Sequence, residues 1–325
     1  MRVLAADVGA TKTRLAVVEP GESFLRVEAE ATHRSAAYDG LEALVRDFLD
    51  EQGTAVDAAA FGLPGPVLRG RVRTTNLPWE VRRDELAEHL GLRRLTLIND
   101  LEATAFGIGE LADDDLEVLA EGDAEAGGNA ALIAPGTGLG EAGLFWDGGR
   151  HRPFATEGGH CDFAPGDEVD DALRAHLAAD GGHVSWEKVL SGPGLLSIHE
   201  FLRRYRGTPV PDWLERDMQS GDPAAAIAGA AQARTCPVCS EAMDRFVRYF
   251  GAEAGNLGLK LMATGGVYLG GGIAPRIAGR LLDPDFLEAF RAKGRMRDLM
   301  ERMPVKLIRN DRAALLGAAR CAALL

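Results

Sequence analysis

Short apolar runs separated by Gly-rich polar turns recur along the chain and predict a mixture of strands and helices. In residues 2–19, two apolar runs flank a polar turn at 7–14, which predicts a β-hairpin. The runs at 130–133 and 142–145 predict a second hairpin, whose turn is also rich in Gly and Thr. Because the two halves of the chain begin alike, the pattern indicates a weak internal repeat.

Longer segments with apolar residues at helical spacing predict helices, and short uninterrupted apolar runs predict buried strands. The predicted helices cover residues 41–52, 84–90, 168–178, 187–205, 223–233 and 246–262, and an Ala-rich helix reaches the C-terminus. Further strands are predicted at 58–63, 95–98 and 305–308, and another leads into the Gly-rich turn of segment 265–275. At roughly 100 to 200 residues per domain, a chain of 325 residues predicts about two domains.

The balance of charge excludes several classes of partner. With 36 Lys and Arg against 49 Asp and Glu, the formal net charge is −13, which opposes binding to nucleic acid or anionic membrane.

The longest apolar run, residues 261–275, is shorter than the ~20 residues that cross a bilayer. Asp7 stands where a signal peptide would need apolar residues, and the four Cys provide no disulfide framework. We therefore predict a cytoplasmic protein.

Three Gly-rich turns follow predicted strands, and successive main-chain N–H groups in such turns form an anion-binding concavity. Any single one is more often a simple turn. The phosphate-loop signature with its Lys does not occur, and the strand-like segment after Gly140 argues against a dinucleotide fingerprint. Asp7 in the first turn would repel a phosphate directly but would suit Mg²⁺ bound through water. An Asx turn is the alternative that this residue alone favours.

Polar residues at two further places suit the binding of a small hydroxylated ligand. Asn99 and Asp100 end a buried strand, where an Asn can grip a polyol and an Asp can remove a hydroxyl proton. A helix cap is an equal alternative for Asp100. Glu157 and His160, separated by two Gly, can both point at one ligand. A metal site there lacks further ligands at a usable spacing.

Cys236 and Cys239 form a single C-x-x-C motif. A zinc site of the common type would need a second pair of ligands, and redox chemistry would need a thioredoxin-like setting. The sequence shows neither of these, so an ordinary pair at the start of a helix is the favoured interpretation.

Six segments together resemble bacterial ATP-dependent glucokinases, in the order in which that family has them. They are Asp7-Val-Gly-Ala-Thr-Lys-Thr-Arg14, Leu97-Ile-Asn-Asp100, Gly136-Thr-Gly-Leu-Gly140, Glu157-Gly-Gly-His-Cys-Asp162, Val189-Leu-Ser-Gly-Pro-Gly194 and Gly265-Gly-Val-Tyr-Leu-Gly-Gly-Gly-Ile-Ala-Pro275. The resemblance implies the two-domain α/β, actin-like (ribonuclease H-like) fold of sugar kinases, with glucose and ATP in an interdomain active-site cleft. The implied domains are residues 1–108 plus 305–325, which form the smaller one, and residues 109–304.

The same resemblance implies a role for each matching residue. Asp100 is expected to be the general base for the 6-hydroxyl of glucose. The residues expected to hold the other hydroxyls are Asn99, Glu157, His160 and Glu187. The residues expected to contact ATP are Ala6, Asp7, Val8, Gly9, Ala10, Thr11, Lys12, Gly136, Thr137 and Gly138 at the triphosphate, and Gly270, Gly271 and Gly272 at the adenosine. Asp7 is expected to hold Mg²⁺ through water, and the family resemblance implies a homodimer.

One departure from the family pattern is Lys12, which stands where glucokinases usually have Asn. A Lys in this position makes the turn similar to that of the related family of repressors, open-reading-frame proteins and sugar kinases. That family binds zinc through three closely spaced Cys, whereas only Cys161 stands at the corresponding place here, so zinc is not expected. Lys12 therefore bears only on the details of phosphate contact.

Three other functions are weighed against glucose phosphorylation. A sugar-responsive repressor would need a DNA-binding extension before the first strand, and Asp7 leaves no room for one. An actin-like filament or chaperone ATPase would have no use for the polar pairs that suit a sugar. A kinase of mannose, fructose or an N-acetylhexosamine is the remaining alternative, because the choice among hexoses depends on sub-ångström placement of polar groups.

Overall fold

The structure, a computed structural model, describes residues 1–21, 24–74, 77–123, 127–179 and 182–325. Its strands are β1 Val3–Val8, β2 Lys12–Pro20, β3 Leu25–Arg34, β4 Ala58–Leu63, β5 Arg71–Arg73, β6 Glu80–Arg82, β7 Leu95–Asn99, β8 Leu116–Ala120, β9 Ala130–Pro135, β10 Leu139–Trp146, β11 His151–Thr156, β12 Gly266–Leu269 and β13 Val305–Ile308. Its α-helices are α1 Leu41–Gln52, α2 Arg83–Leu90, α3 Asp100–Gly107, α4 Glu168–Leu177, α5 Gly192–Tyr205, α6 Asp212–Ser220, α7 Pro223–Gln232, α8 Pro237–Leu261, α9 Ala278–Leu281, α10 Pro284–Arg291, α11 Arg297–Glu301 and α12 Ala313–Ala323. Within these ranges, no helix combines the length and apolarity that a membrane span requires.

The chain divides into two compact units. Unit 1 comprises Met1–Leu116, Asp147–Ala155 and Asn310–Leu325, and unit 2 comprises Glu117–Trp146 and Thr156–Arg309. The predicted boundaries at 108 and 305 differ from this division, most clearly at β13, which pairs in parallel with β12 inside unit 2. The C-terminal part of unit 1 therefore contains α12 but not the preceding strand.

Unit 1 is built on a five-stranded sheet in the order β3-β2-β1-β4-β7. β1 and β2 form the predicted antiparallel hairpin, whereas β1, β4 and β7 are parallel. Alternate residues of β1 enter two different cores: Leu4 packs with α1 on one face, and Val3 packs with α12 on the other. The sheet is thus covered by helices on both faces, as parallel strands require.

Two glycines allow α3 and α12 to pack unusually closely. A Cβ atom at Gly317 would lie 1.8 Å from the carbonyl oxygen of Ala103, and one at Gly107 would lie 2.0 Å from that of Ala313. On the sheet side, a Cβ at Gly62 would lie 2.9 Å from the Cβ of Ala103. These contacts fix α3 against the sheet, and with it the polar residues where β7 ends.

Unit 2 contains a similar arrangement of strands. Its strands occur in the order β10-β9-β12-β13-β8, with an antiparallel hairpin of β9 and β10 beside the parallel strands β12 and β13. The internal repeat predicted from the two hairpins is therefore present in the fold. The helix predicted at 246–262 begins earlier, at Pro237, because Cys236 is its N-cap and Pro is well suited to the first helical position. The one predicted at 187–205 begins at Gly192, since Ser191 caps it.

Candidate functional site

The first Gly-rich turn of unit 1 is held by main-chain and hydroxyl hydrogen bonds. The N–H of Gly9 donates to the carbonyl oxygen of Lys12 at 2.9 Å, and a Cβ at Gly9 would lie 2.8 Å from that oxygen. The fully buried Ser35 donates from Oγ to the carbonyl oxygen of Gly9 at 2.6 Å, and its N–H donates to that of Thr11 at 3.1 Å. These hydrogen bonds fix the main chain of the turn. The side chains of Thr11 and Lys12 are exposed to solvent.

Asp7 lies in β1 opposite Arg14, and so precedes the turn in which it was predicted. Its neighbours Ala6 and Val8 are buried in the core, so only their main-chain atoms are available to a ligand. Burial raises the pKa of Asp7; the charge of Arg14 opposes this rise, and that of Asp311 adds to it. A nearby cation would favour the ionised carboxylate, so the position fits the predicted Mg²⁺.

Asn99 and Asp100 have different roles at the start of α3. Asn99 is the N-cap: its Oδ1 accepts from the N–H of Leu101 at 2.8 Å, and its Nδ2 donates to the carbonyl oxygen of Gly65 at 3.2 Å. Asp100 is the first helical residue and is partly buried, with Oδ1 2.9 Å from the same N–H. The capping role considered for Asp100 thus falls mainly to Asn99. The helix N-terminus stabilises a negative charge on Asp100.

Glu157, His160 and Glu187, three of the residues predicted to hold the sugar, lie together in unit 2. Nε2 of His160 is 4.0 Å from Oε2 of Glu157, and its Nδ1 is 4.0 Å from Oε1 of Glu187. These distances are too long for direct hydrogen bonds. The side chains of Glu157 and His160 are 66% and 59% exposed, so their polar atoms are accessible to a hydroxylated ligand.

Glu187 also joins this cluster to the second Gly-rich turn. Its Oε2 accepts from the N–H of Leu139 at 2.9 Å, and a Cβ at Gly138 would lie 2.5 Å from that oxygen. The N–H of Gly136 donates to the carbonyl oxygen of Gly138 at 2.8 Å, and the N–H of Gly192 donates to that of Gly136 at 2.8 Å. The position of the turn and the position of the carboxylate therefore depend on each other.

A buried pair of carboxyl groups lies beneath the Glu157–His160 segment. Glu141 on β10 is 2% exposed, and a Cβ at Gly158 would lie 1.9 Å from its Oε2. Glu253 on α8 is fully buried and accepts from Nδ2 of Asn256 at 2.7 Å. Burial first, and the charge of Glu253 second, raises the pKa of Glu141 to about 8. Protonation of Glu141 removes its charge and so relieves the repulsion between the two groups.

This pair predicts that stability falls as pH rises. The folded-state pKa of Glu141 is raised from 4.5 to about 8, so its contribution is fully present below pH 4.5 and is lost as pH rises to about 8. In the Glu141→Gln variant the side chain cannot ionise. Over that range we expect the unfolding free energy of the wild type to fall relative to the variant, by at most about 1.4 kcal/mol per pH unit. Chemical denaturation of both proteins across this pH range measures the difference, and parallel curves would contradict it.

A cavity of about 570 Å³ lies in unit 2 beside the second Gly-rich turn. Three of the predicted site residues, Gly136, Thr137 and Gly272, line it. The other walls are the first turns of α5 and α7, the side chain of Met243, and the segment that includes Ile273 and Arg276. Its volume and mainly small or apolar lining are typical of a pocket for a small organic ligand.

The third Gly-rich turn is fixed against the end of β9. The N–H of Gly270 donates to the carbonyl oxygen of Ile133 at 2.9 Å, and that of Ile273 donates to the carbonyl oxygen of Pro135 at 3.2 Å. Gly271 has φ of +79°, and a Cβ there would lie 2.5 Å from the oxygen of Pro135. Gly270 and Gly271 therefore shape the turn, while Gly272 reaches the cavity.

Several residues around these sites were not predicted. Ser35 supports the first turn, and Asp311 binds Arg14 beside Asp7 with Nη2 and Oδ2 3.0 Å apart. Nε2 of His183 lies 2.7 Å from the carbonyl oxygen of His160. Asp222 caps α7 at the cavity. Among these residues, only Asp311 lies in a sequence pattern that could have indicated a site. It follows Asn310 after an apolar strand, just as Asp100 follows Asn99.

Comparison with known proteins places this chain among sugar kinases. The sequence model of the family described as Glucokinase matches residues 4–325. A glucokinase from Nostoc punctiforme is 38% identical over an alignment of 338 positions, which covers 99% of either chain. The crystal structure of a glucokinase from an Antarctic psychrotroph superposes with a TM-score of 0.88 at 31% identity and covers 100% of this chain and 99% of its own.

A more distant structure has the same fold. The glucokinase of the repressor and sugar-kinase (ROK) family from Streptomyces griseus, crystallised with glucose and AMPPNP, is 22% identical, with a TM-score of 0.64 over the full length of both chains. The predicted two-domain actin-like fold is thereby confirmed. The match of the family model to residues 4–325, together with the full-length similarity to the Nostoc protein, shows that this chain belongs to the glucokinase family.

Proposed function

We propose that this chain transfers the γ-phosphoryl group of ATP to the 6-hydroxyl of D-glucose, giving glucose 6-phosphate and ADP, with Asp100 as general base. Full-length membership of the glucokinase family supports the reaction. The observation that carries the assignment of residues is the convergence of Glu157, His160 and Glu187, whose polar atoms are available for the hydroxyls of a sugar. A filament or chaperone ATPase has no need of such a cluster.

Asp100 is suited to accept the proton of the attacking hydroxyl. It is a carboxylate at the first position of α3, where the helix N-terminus stabilises its charge and Asn99 takes over the capping of the helix. The close packing of α3 on α12 holds this carboxylate in place. Phosphoryl transfer depends mainly on positioning and charge stabilisation, so a fixed base contributes by orienting the hydroxyl as well as by taking its proton.

The polar groups divide into acceptors and donors for the sugar. The carboxylates of Glu157 and Glu187 accept hydrogen bonds from hydroxyls, and His160 donates one from the ring nitrogen that carries hydrogen. Asn99 is proposed to hold a further hydroxyl, because an amide that makes the two bonds described above still has one N–H and one lone pair. Glu187 also accepts a hydrogen bond from the N–H of Leu139. Sugar binding to Glu187 would therefore affect the position of the turn at 136–138.

ATP is proposed to bind through the Gly-rich turns and the cavity of unit 2. The main-chain N–H groups of Ala10 and Thr11 in the first turn, and of Thr137 and Gly138 in the second, suit the phosphates, and the side chain of Lys12 adds a positive charge. The cavity beside Gly272 suits the adenosine. Asp7 would hold Mg²⁺ through water; when bound, the ion neutralises part of the charge on the phosphates. We further propose a cytoplasmic homodimer, which the family resemblance supports.

The position of transfer is tested with 6-deoxyglucose, which lacks the reacting hydroxyl. We expect this sugar to compete with glucose for binding and to yield no sugar phosphate in the presence of ATP. Phosphorylation of 6-deoxyglucose would contradict transfer to the 6-hydroxyl. Product analysis by NMR and inhibition kinetics against glucose measure the two effects. Among hexoses, glucose is favoured over mannose, fructose and N-acetylhexosamines by the similarity to glucokinases.

The His160→Ala variant tests the sugar-binding cluster. Loss of the imidazole removes a hydrogen-bond partner of the sugar in both the ground state and the transition state. The KM for glucose should therefore rise about 10- to 100-fold, with a much smaller change in kcat. The exposed His89 on α2 provides a control, and His89→Ala should leave both constants unchanged. Steady-state kinetics measure both. A normal KM in His160→Ala would remove this residue from the site.

A further inference from the structure

A second cluster of potential ligands lies inside unit 2, away from the residues discussed so far. It consists of His199 on α5 with Cys236 and Cys239 at the start of α8, which are only 2%, 4% and 0% exposed. One ring nitrogen of His199 and the two Sγ atoms all lie within 4.8 Å of one another. The sequence predicted an isolated C-x-x-C pair, and the fold adds a third ligand from another helix.

The start of α8 places the two sulfur atoms side by side. Cys236 is the N-cap, Pro237 is the first helical residue, and Cys239 follows one turn along. Sγ of Cys236 accepts from the N–H of Cys239 at 3.4 Å. The start of the helix therefore holds both sulfur atoms within reach of one ion.

His199 gives independent support because it lacks a partner where it would need one. Its Nδ1 is buried and makes no hydrogen bond within the described part of the chain. Buried polar atoms in folded proteins are nearly always satisfied, so an unpaired one requires an explanation.

We propose that His199, Cys236 and Cys239 bind one thiophilic d¹⁰ cation, either Zn²⁺ or Cu(I). Two thiolates and one imidazole form a donor set that both ions take, whereas Mg²⁺ and Ca²⁺ prefer oxygen. On binding, each thiol exchanges its proton for a metal–sulfur bond, and the protons pass to solvent. Zn²⁺ would complete its tetrahedral coordination with one water, and Cu(I) would accept the three protein ligands alone.

The bound ion would link two helices that line the cavity. Leu195 and Leu196 lie one turn before His199 on α5, and Met243 lies one turn after Cys239 on α8. A metal bridge between these helices would therefore stabilise one wall of the cavity. Its role is structural, and it does not depend on the proposed reaction.

Metal binding by the full-length reduced protein tests this proposal, after resident metal has been removed with a chelator. One aliquot is titrated with Zn²⁺ or Co²⁺ in competition with a chromogenic chelator, and another with Cu(I) in competition with bicinchoninate. We expect one equivalent of Zn²⁺ or Cu(I) per chain and a higher Tm. If the site takes Zn²⁺, Co²⁺ should give a thiolate-to-metal charge-transfer band. The preferred ion follows from the two competition experiments.

Two variants show which side chains are responsible. Cys236→Ser keeps an oxygen acceptor at the N-cap, so the helix should form while the affinity for the preferred ion falls more than about 100-fold. Cys321→Ala removes a buried thiol from α12 in unit 1 and should bind the ion like the wild type. Failure of the wild type to take up a full equivalent of either ion would overturn the proposal. Uptake that is unchanged in Cys236→Ser would overturn it as well.

Discussion

Replacing Asp100 with Asn is expected to lower kcat by about 10²- to 10⁴-fold while leaving the affinity for glucose nearly unchanged. The side chain keeps its size and can still accept from the N–H of Leu101, so α3 should form normally. It can no longer take the proton of the attacking hydroxyl. Steady-state kinetics give kcat, and calorimetric titration with glucose gives the affinity.

The matched control is Asp212→Asn. Asp212 is the first residue of α6, as Asp100 is of α3, and it is exposed. Both variants lose the same favourable interaction between a carboxylate and a helix N-terminus, which is about 0.3 to 1 kcal/mol. Only Asp100→Asn should lose turnover. A kcat near that of the wild type in Asp100→Asn would mean that Asp100 serves the helix and not the reaction.

Replacing Gly317 with Ala is expected to destabilise unit 1 and to impair catalysis together. The new Cβ would lie 1.8 Å from the carbonyl oxygen of Ala103, so α3 and α12 have to separate. Such overpacking commonly costs about 1 to 3 kcal/mol of unfolding free energy, and a clash with main chain falls at or above the upper end. Because α3 carries Asp100, its displacement should also lower kcat.

Gly229→Ala is the control that distinguishes a steric clash from a change in helix propensity. Gly229 is an exposed residue of α7 with nothing within 4 Å of an added Cβ, so Gly229→Ala should stabilise the protein by about 0.5 to 1 kcal/mol. Chemical denaturation measures both variants, and kinetics follow kcat in Gly317→Ala. An unfolding free energy equal to that of the wild type in Gly317→Ala would show that the helices do not need this close contact.

Local patterns predicted the elements of the fold well, because each hairpin and each amphipathic helix is encoded within its own segment. The hairpins of β1–β2 and β9–β10 and the helix α1 occur as expected. The strands β3, β8 and β11 and the helix α6 were not predicted. Other errors came from helix starts, where a cap and a Pro decide the boundary. The periodicity of apolar residues does not show that Ser191 begins one helix and Cys236 another.

The parts of the site that escaped prediction depend on contacts between distant segments. Ser35 reaches the first turn from the end of β3, and Glu141 lies near Glu253 of α8 beneath residues 157–160. His199 meets the C-x-x-C pair only because α5 packs on α8. Sequence motifs indicate candidate ligand-binding side chains, whereas the residues that position them become visible only when the chain is folded.

The most direct test of the account is the release of ADP from Mg²⁺-ATP in the presence of glucose, fructose, mannose, N-acetylglucosamine or no sugar. We expect strong turnover with glucose, much weaker turnover with the other sugars and almost none without sugar. The Asp100→Asn protein serves as the blank for contaminating kinases. Turnover that does not depend on sugar, or that is highest with another hexose, would contradict the proposed function and would require a new assignment for Glu157, His160 and Glu187.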